Sequence, residues 1–209
     1  AGRAPAVVDV VDIRNLNPED ITVGRISPEC GRAAMEWVTR AGELALAGTV
    51  AALATAPLNK EAASRAGYKS IGHMELLQAL TGVRTVATML MAKKLRVVHL
   101  TTHLSLRRAC DAVKKDRILE FLQLTHDSFV KWGFDRPRIG TAALNPHGSD
   151  GGLLGNEEAE EIAPAVAEAR ERDIDAIGPV PADIVFHQAV QGRYDVVLAM
   201  FHDQGHIPV

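Results

Sequence analysis

The sequence is poor in aromatic residues, which make up 4% of its 209 positions. A core must therefore be built from Ala, Val, Leu and Ile. Cysteine is scarcer still. Cys30 and Cys110 are far apart and share no metal-type spacing, which excludes a thiolate zinc module and a disulfide-dense secreted scaffold. One disulfide stays open on count alone; reduced thiols are the expectation. No apolar run reaches the length of a membrane-spanning helix. The opening Ala1-Gly2-Arg3-Ala4-Pro5 lacks the apolar stretch of a secretory signal, so a cytoplasmic setting with no membrane partner is expected. There is no basic excess. The net charge of −3 argues against a nucleic-acid surface. Neither a P-loop nor G-x-G-x-x-G is present, so a dinucleotide, if bound, is not held by the usual glycine fingerprint.

What remains is the composition of a well-packed globular chain, 47% hydrophobic and 23% charged, long enough for one large or two small domains. Ser27-Pro28-Glu29 reads as a helix start, with Ser as N-cap and Pro in the first turn, and the helix should run to about Ala47, with Gly48 ending it. Thr49–Ala54 reads as a buried strand and Lys60-Glu61-Ala62-Ala63 as the opening of another helix. Val7–Val11 is a short apolar run. A helix is expected from about Met74 to Leu80, and Val86–Met91 and Leu95–Leu100 form a strand pair. Leu106–Val113 is helical, and Ile118–Gly133 is amphipathic at helical spacing. Arg138–Leu144 is a strand, Glu157–Arg172 a helix with an acidic start, Ala176–Pro181 a turn-rich crossing, Ile184–Gln191 a short helix and Tyr194–Met200 the last strand. Alternating elements of this kind give an α/β fold with a largely parallel sheet.

Three histidines follow strand-like runs: His103 in Thr101-Thr102-His103-Leu104, His147 in Leu144-Asn145-Pro146-His147-Gly148, and His202 in Met200-Phe201-His202-Asp203-Gln204-Gly205. Strand ends of an α/β sheet converge on one edge, where ligands bind. Three neutral imidazoles meeting there would make an open divalent-metal site, suited to Zn, Co, Mn or, less well, Mg. The bland alternative is three hydrogen-bonded strand-end histidines. Asp203 either orients a neighbouring imidazole or caps a turn.

The loop Gly148-Ser149-Asp150-Gly151-Gly152 runs toward a helix start. Gly148, Gly151 and Gly152 either expose backbone N–H groups to a cofactor's anionic groups or simply supply flexibility. His73, beside Met74 and Glu75, either meets a substrate phosphate or carboxylate or sits at the surface. Lys60 either meets an anionic substrate or is solvated. Asp183 is an N-cap for the following helix or an acid/base group.

With these motifs assembled, the chain resembles the 4-hydroxythreonine-4-phosphate dehydrogenase family of pyridoxine (vitamin B6) biosynthesis and its catabolic paralogues. The resemblance runs through Gly24–Ala34, Thr55-Ala56-Pro57-Leu58-Asn59-Lys60, Gly72-His73-Met74-Glu75, the three histidine motifs and Gly178-Pro179-Val180-Pro181-Ala182-Asp183, in order over nearly the whole chain. It implies a three-layer α/β/α fold similar to isocitrate and isopropylmalate dehydrogenases, in homodimers of two-domain subunits with the site at the interface. On that pattern residues 1–65 are part of a first domain, 66–195 a second one carrying much of the dimer interface, and 196–209 a return strand and loop. The chain stops directly after the third histidine motif and is expected to be a piece truncated at both ends.

The resemblance also implies the reaction: NAD- or NADP-linked, metal-dependent oxidation and decarboxylation of a phosphorylated 3-hydroxy acid, with 4-phosphohydroxy-L-threonine as first choice. The metal-binding histidines match His103, His147 and His202. The substrate-contacting His-Thr pair matches His73 and Met74, where a thioether replaces a hydroxyl donor. Asp183, Asp203 and Lys60 are the candidates for the base. Threonate or erythronate 4-phosphate, or a cis-dihydrodiol carboxylate, are alternative small anionic substrates. A three-histidine hydrolase or lyase without a dinucleotide is the reading from another class.

Overall fold

A computed structural model describes residues 8–69 and 72–209. The chain divides into two compact units, 1–86 and 87–209.

In the first unit, α1 (Pro28–Leu46) starts as its sequence dictates. Ser27 caps it, its hydroxyl accepting from the Cys30 N–H at 3.1 Å, and Pro28 needs no donor in the first turn. Asn59 caps α2 (Lys60–Arg65) by accepting from the Ala62 N–H at 2.9 Å. The two helices approach closely: a Cβ at Gly31 would run into the Ala62 carbonyl. The third helix, α3 (His73–Thr81), lays Leu77 and Leu80 over Gly42 of α1. Trp37 of α1 is about half exposed and donates its indole N–H to Asn15 Oδ1 at 2.8 Å.

The strand expected over Thr49–Ala54 does not form. These residues are mostly exposed, and no strand among the described residues of this unit offers their peptide groups a partner. Of the apolar run Val7–Val11, Val7 lies outside the described residues and the rest has no regular structure.

The second unit is built on a five-stranded sheet: β1 (Met89–Ala92), β2 (Leu95–His99), β3 (Ile139–Ala142), β4 (Ala176–Val180) and β5 (Val196–Ala199), in the order β1-β2-β5-β3-β4. β1 and β2 form the expected strand pair, which is antiparallel; every other pairing is parallel. Between them run α4 (Leu106–Asp111), α5 (Lys115–Lys131), α6 (Ala163–Glu171) and α7 (Ala182–Val190), with α8 (His202–His206) last.

Strand periodicity sorts the core onto two faces. Val98, Leu100, Leu198 and Met200 pack with Ile118, Leu122, Phe129 and Val166, on the side of α5 and α6. Leu95, Val97, Val197 and Ala199 pack with Val185, Phe186 and Ala189 of α7. The result is a three-layer α/β/α sandwich. Trp132, past the end of α5, is exposed and tilts against Phe129 with ring centroids 5.2 Å apart.

Two segments differ from expectation for physical reasons. The turn-rich crossing Ala176–Val180 is the edge strand β4. Pro179 lacks an N–H, which an edge position tolerates, and Gly178 lies so close to Thr141 that a Cβ would sit 2.5 Å from its carbonyl oxygen. The helix expected over Glu157–Arg172 is a π turn, Glu158–Ile162, followed by α6. Pro164 cannot donate to the carbonyl four residues back, which fits the wider turn before it. Cys30 and Cys110 are both free thiols.

At the amino-terminal end of the parallel strands, Arg138 clamps Asp195. Its Nε and Nη2 donate to the two carboxylate oxygens at 3.0 and 2.9 Å, and its backbone N–H donates at 2.9 Å. The guanidinium holds the Asp195 carboxyl below its ordinary range, against a smaller opposing effect of burial. With the folded-state value below the unfolded one, the stabilisation is complete above the unfolded value, about 3.9, and is lost as pH falls through the folded one. Asp195→Asn should therefore cost about 1.5 kcal/mol at pH 7, seen as a lower melting temperature. The gap between variant and parent should close in strongly acidic buffer; a gap that persists there would show that the charge is not its source.

Candidate metal and substrate site

Because β2, β5 and β3 are adjacent and parallel, the loops that leave their carboxyl ends share one edge of the sheet. These loops carry His103, His202 and His147. The edge is fastened by side chains where strand pairing runs out. Thr101 Oγ1 donates to the Met200 carbonyl at 2.9 Å, and Arg117 Nη2 to the Leu100 carbonyl at 3.0 Å.

His103 and His202 come together, with ring centroids 6.0 Å apart. They border a cavity of about 290 Å³, whose walls include Thr102, Leu104, Phe201 and Asp203. Asp203 Oδ1 lies 2.7 Å from His202 Nδ1. With the carboxylate accepting from an Nδ1–H, the lone pair is left on Nε2, the arrangement of an imidazole held ready for a metal.

Behind His202 stands a column of two further histidines. His206 stacks on His202 at 3.6 Å, with Nδ1 2.9 Å from the His202 carbonyl. The His99 ring lies 4.6 Å from that of His206. His99 is buried in β2, and burial pushes its pKa down against the opposing effect of the Thr88 carbonyl 3.3 Å from Nδ1. The histidine spacing of His202 and His206 on one helical face was the available signal for this column.

His147 is presented differently. From His147 to Gly151 the backbone runs through a left-handed turn, with φ of 55, 73, 72, 45 and 70°. Left-handed geometry costs a non-glycine residue roughly 1–2 kcal/mol, so His147, Ser149 and Asp150 must be held there. Gly148, Gly151 and Gly152 take positive φ without that penalty. Ser149 is buried, while the His147 ring is exposed with Nδ1 3.1 Å from Asp150 Oδ2.

The base of this turn is gripped by two glutamates. The buried Glu158 accepts from the Leu144 N–H at 2.8 Å, the Asn145 N–H at 2.7 Å and the Asn145 side-chain amide at 2.8 Å; Glu157 takes the same amide at 2.7 Å. Nothing in the local sequence singles out Glu158, because its work is to satisfy a strand end distant in sequence.

Among the described residues, no group of three or more His, Cys, Asp or Glu side chains is arranged to hold a metal ion. This chain brings two of the three expected ligands together and places the third on the same sheet edge. The imidazole donors and the Asp203 contact fit such an ion in chemistry; a complete ligand set is not gathered within these residues.

The remaining candidates are dispersed. Asp183 is exposed in the first turn of α7. It is not the cap of that helix, which begins one residue earlier behind Pro181. In the first unit, Lys60 is the exposed first residue of α2. His73 opens α3, and its Nε2 is buried with no hydrogen-bond partner among the described residues. Met74 follows it, 41% exposed.

Comparison with known proteins agrees with this architecture. The family model described as pyridoxal phosphate biosynthetic protein PdxA matches residues 2–209. A D-threonate 4-phosphate dehydrogenase of Salmonella typhimurium is 43% identical over 206 residues, covering 99% of this chain and 63% of that protein. A crystal structure of a 4-hydroxythreonine-4-phosphate dehydrogenase from Klebsiella pneumoniae superposes with a TM-score of 0.95 at 44% identity, covering 100% of this chain and 63% of the other. A terephthalate 1,2-cis-dihydrodiol dehydrogenase from Burkholderia xenovorans LB400 gives 0.75 at 28% identity, covering 99% and 65%. The chain thus spans less than two thirds of the length of each. By the extent of the family match and the identity to these relatives, the chain belongs to the PdxA family.

Proposed function

We propose that the protein containing this chain is a metal-dependent, NAD- or NADP-linked dehydrogenase. It oxidises and decarboxylates a four-carbon 3-hydroxy acid 4-phosphate. The observation that carries the reading is the 43% identity, along 99% of the chain, to a D-threonate 4-phosphate dehydrogenase. Threonate 4-phosphate therefore moves ahead of 4-phosphohydroxy-L-threonine as the preferred substrate. The two differ at C2, hydroxyl against amine. Met74, whose thioether is only a weak acceptor for a C2 ammonium where the resemblance leads one to expect the Thr hydroxyl, favours the same order.

His103 and His202 would hold the divalent ion from this chain, with His147 as a further ligand in a homodimer that shares the site between subunits. When bound, such an ion polarises the substrate's hydroxyl and carboxylate oxygens and lowers the alcohol's pKa. Asp203, 2.7 Å from His202 Nδ1, would orient that ring. That role favours Lys60 and Asp183 over Asp203 as the candidates to take the hydroxyl proton. The unpartnered Nε2 of His73 suits an anionic substrate oxygen, since a buried polar atom without a partner costs about 1–3 kcal/mol. Gly148, Gly151 and Gly152 remain candidates for contact with the dinucleotide. A cytoplasmic setting belongs to the same proposal; among the described residues no helix is long and apolar enough to cross a membrane.

The deciding measurement is NADH or NADPH formation by the complete gene product. The panel is threonate 4-phosphate, erythronate 4-phosphate, 4-phosphohydroxy-L-threonine and a cis-dihydrodiol carboxylate. Threonate 4-phosphate should give the highest kcat/KM; no reduced cofactor with any of the four would sink the assignment. His202→Ala should lower divalent-metal affinity by tenfold or more in the same protein, measured by titration without substrate, and unchanged affinity would remove His202 from the ligand set. Met74→Thr should raise kcat/KM for 4-phosphohydroxy-L-threonine relative to threonate 4-phosphate by roughly tenfold. That is the worth of one hydrogen bond to a charged group, about 1.5 kcal/mol. An unaltered ratio would mean that residue 74 does not face C2.

A further inference from the structure

Pairing of β3 with β5 ends at Thr141 and Leu198. The chain continues beyond that rung through Ala143 and Met200, both fully buried, so their peptide groups need partners other than water. Some are found in neighbouring strands and loops. The Ala143 N–H donates to the Val180 carbonyl at 2.8 Å, and the Met200 carbonyl accepts from Thr101. Two groups are left facing each other across the parted strands, the Ala143 carbonyl and the Met200 N–H.

One side chain serves both. Gln204 Oε1 accepts from the Met200 N–H at 2.7 Å, and Gln204 Nε2 donates to the Ala143 carbonyl at 2.7 Å. Its amide takes the place of a peptide group, with acceptor toward one strand and donor toward the other. The distance between the two strand ends is thus set by an inserted amide, not by the roughly 4.8 Å spacing of a ladder. Gln204 lies on α8, two residues after His202. Ala143 leads through Leu144 and Asn145, whose N–H groups are held by Glu158, into His147. Gln204 therefore joins the element carrying one histidine to the strand end carrying another.

We infer that Gln204 is a positioning residue that sets the separation between the His202 helix and the His147 turn. The inference rests on the proposed metal site for its consequence, and on the two hydrogen bonds of the Gln204 amide for its existence.

The test uses the complete gene product and Co²⁺ as the probe, read by titration and by the ion's visible absorption, which reports coordination geometry. Gln204→Glu keeps the acceptor for Met200 but sets a carboxylate oxygen against the Ala143 carbonyl. Gln204→Leu removes both bonds at similar volume. Each should weaken Co²⁺ binding by tenfold or more, the scale typical of groups that orient metal ligands, and should alter the absorption band. Amide hydrogen exchange over residues 143–148 should quicken although the substitution is on another element. Should Gln204→Leu fail to fold, Gln204→Glu, which retains one bond, decides. In the parent, Co²⁺ should slow exchange in 143–148 and 200–204 together, which decides if neither variant folds. A folded variant with parental affinity, band and exchange overturns the inference, as does protection of one segment without the other. If the parent binds no Co²⁺, the metal reading falls, and exchange in the variants alone then decides the role of Gln204.

Discussion

Parallel pairing of β2, β5 and β3 is the constraint on which the site depends. Parallel strands deliver their carboxyl ends to the same edge, so three histidines far apart in sequence leave the sheet side by side. An antiparallel order would have sent at least one to the opposite edge. The same geometry creates a cost. Where the strands part to leave room, buried peptide groups lose their ladder partners, and each unmet group costs about 1–3 kcal/mol. Thr101, Arg117, Glu158 and Gln204 meet that cost one strand end at a time. The open edge and the side chains that fasten it are two aspects of one solution.

The local elements were legible in the sequence wherever their cause was local. Ser27-Pro28 announces a helix start, because a cap is a contact among residues a turn apart. The largely apolar runs in Leu95–Leu100 and Tyr194–Met200 read as strands, because both faces of these strands are covered by helices. Thr49–Ala54 has the same composition and no strand, since a strand is a relation between two segments. β4 was hidden by Gly178-Pro179, residues that break interior strands and are harmless at an edge.

The candidate site was legible in its chemistry and less so in its support. Histidines in Thr-, Asn- and Asp-rich strand-end loops declare themselves. His99 and His206 do not, and their column behind His202 appears only once β2 and α8 are packed. Glu158 and Gln204 look like solvated polar residues because their partners are main-chain groups, which no side-chain motif records. The left-handed turn was half visible: its glycines suggested unusual backbone, but three of the residues that adopt it are His147, Ser149 and Asp150.

The shortage of aromatic residues has a consequence for spectroscopy. Of the two tryptophans, Trp37 lies in α1 and Trp132 beyond α5, one in each compact unit. Each unit thus carries its own fluorophore. Replacing one indole leaves the emission of the other as a private record of its unit, so the melting of the helical segment and that of the sheet can be followed separately in one molecule without an added label.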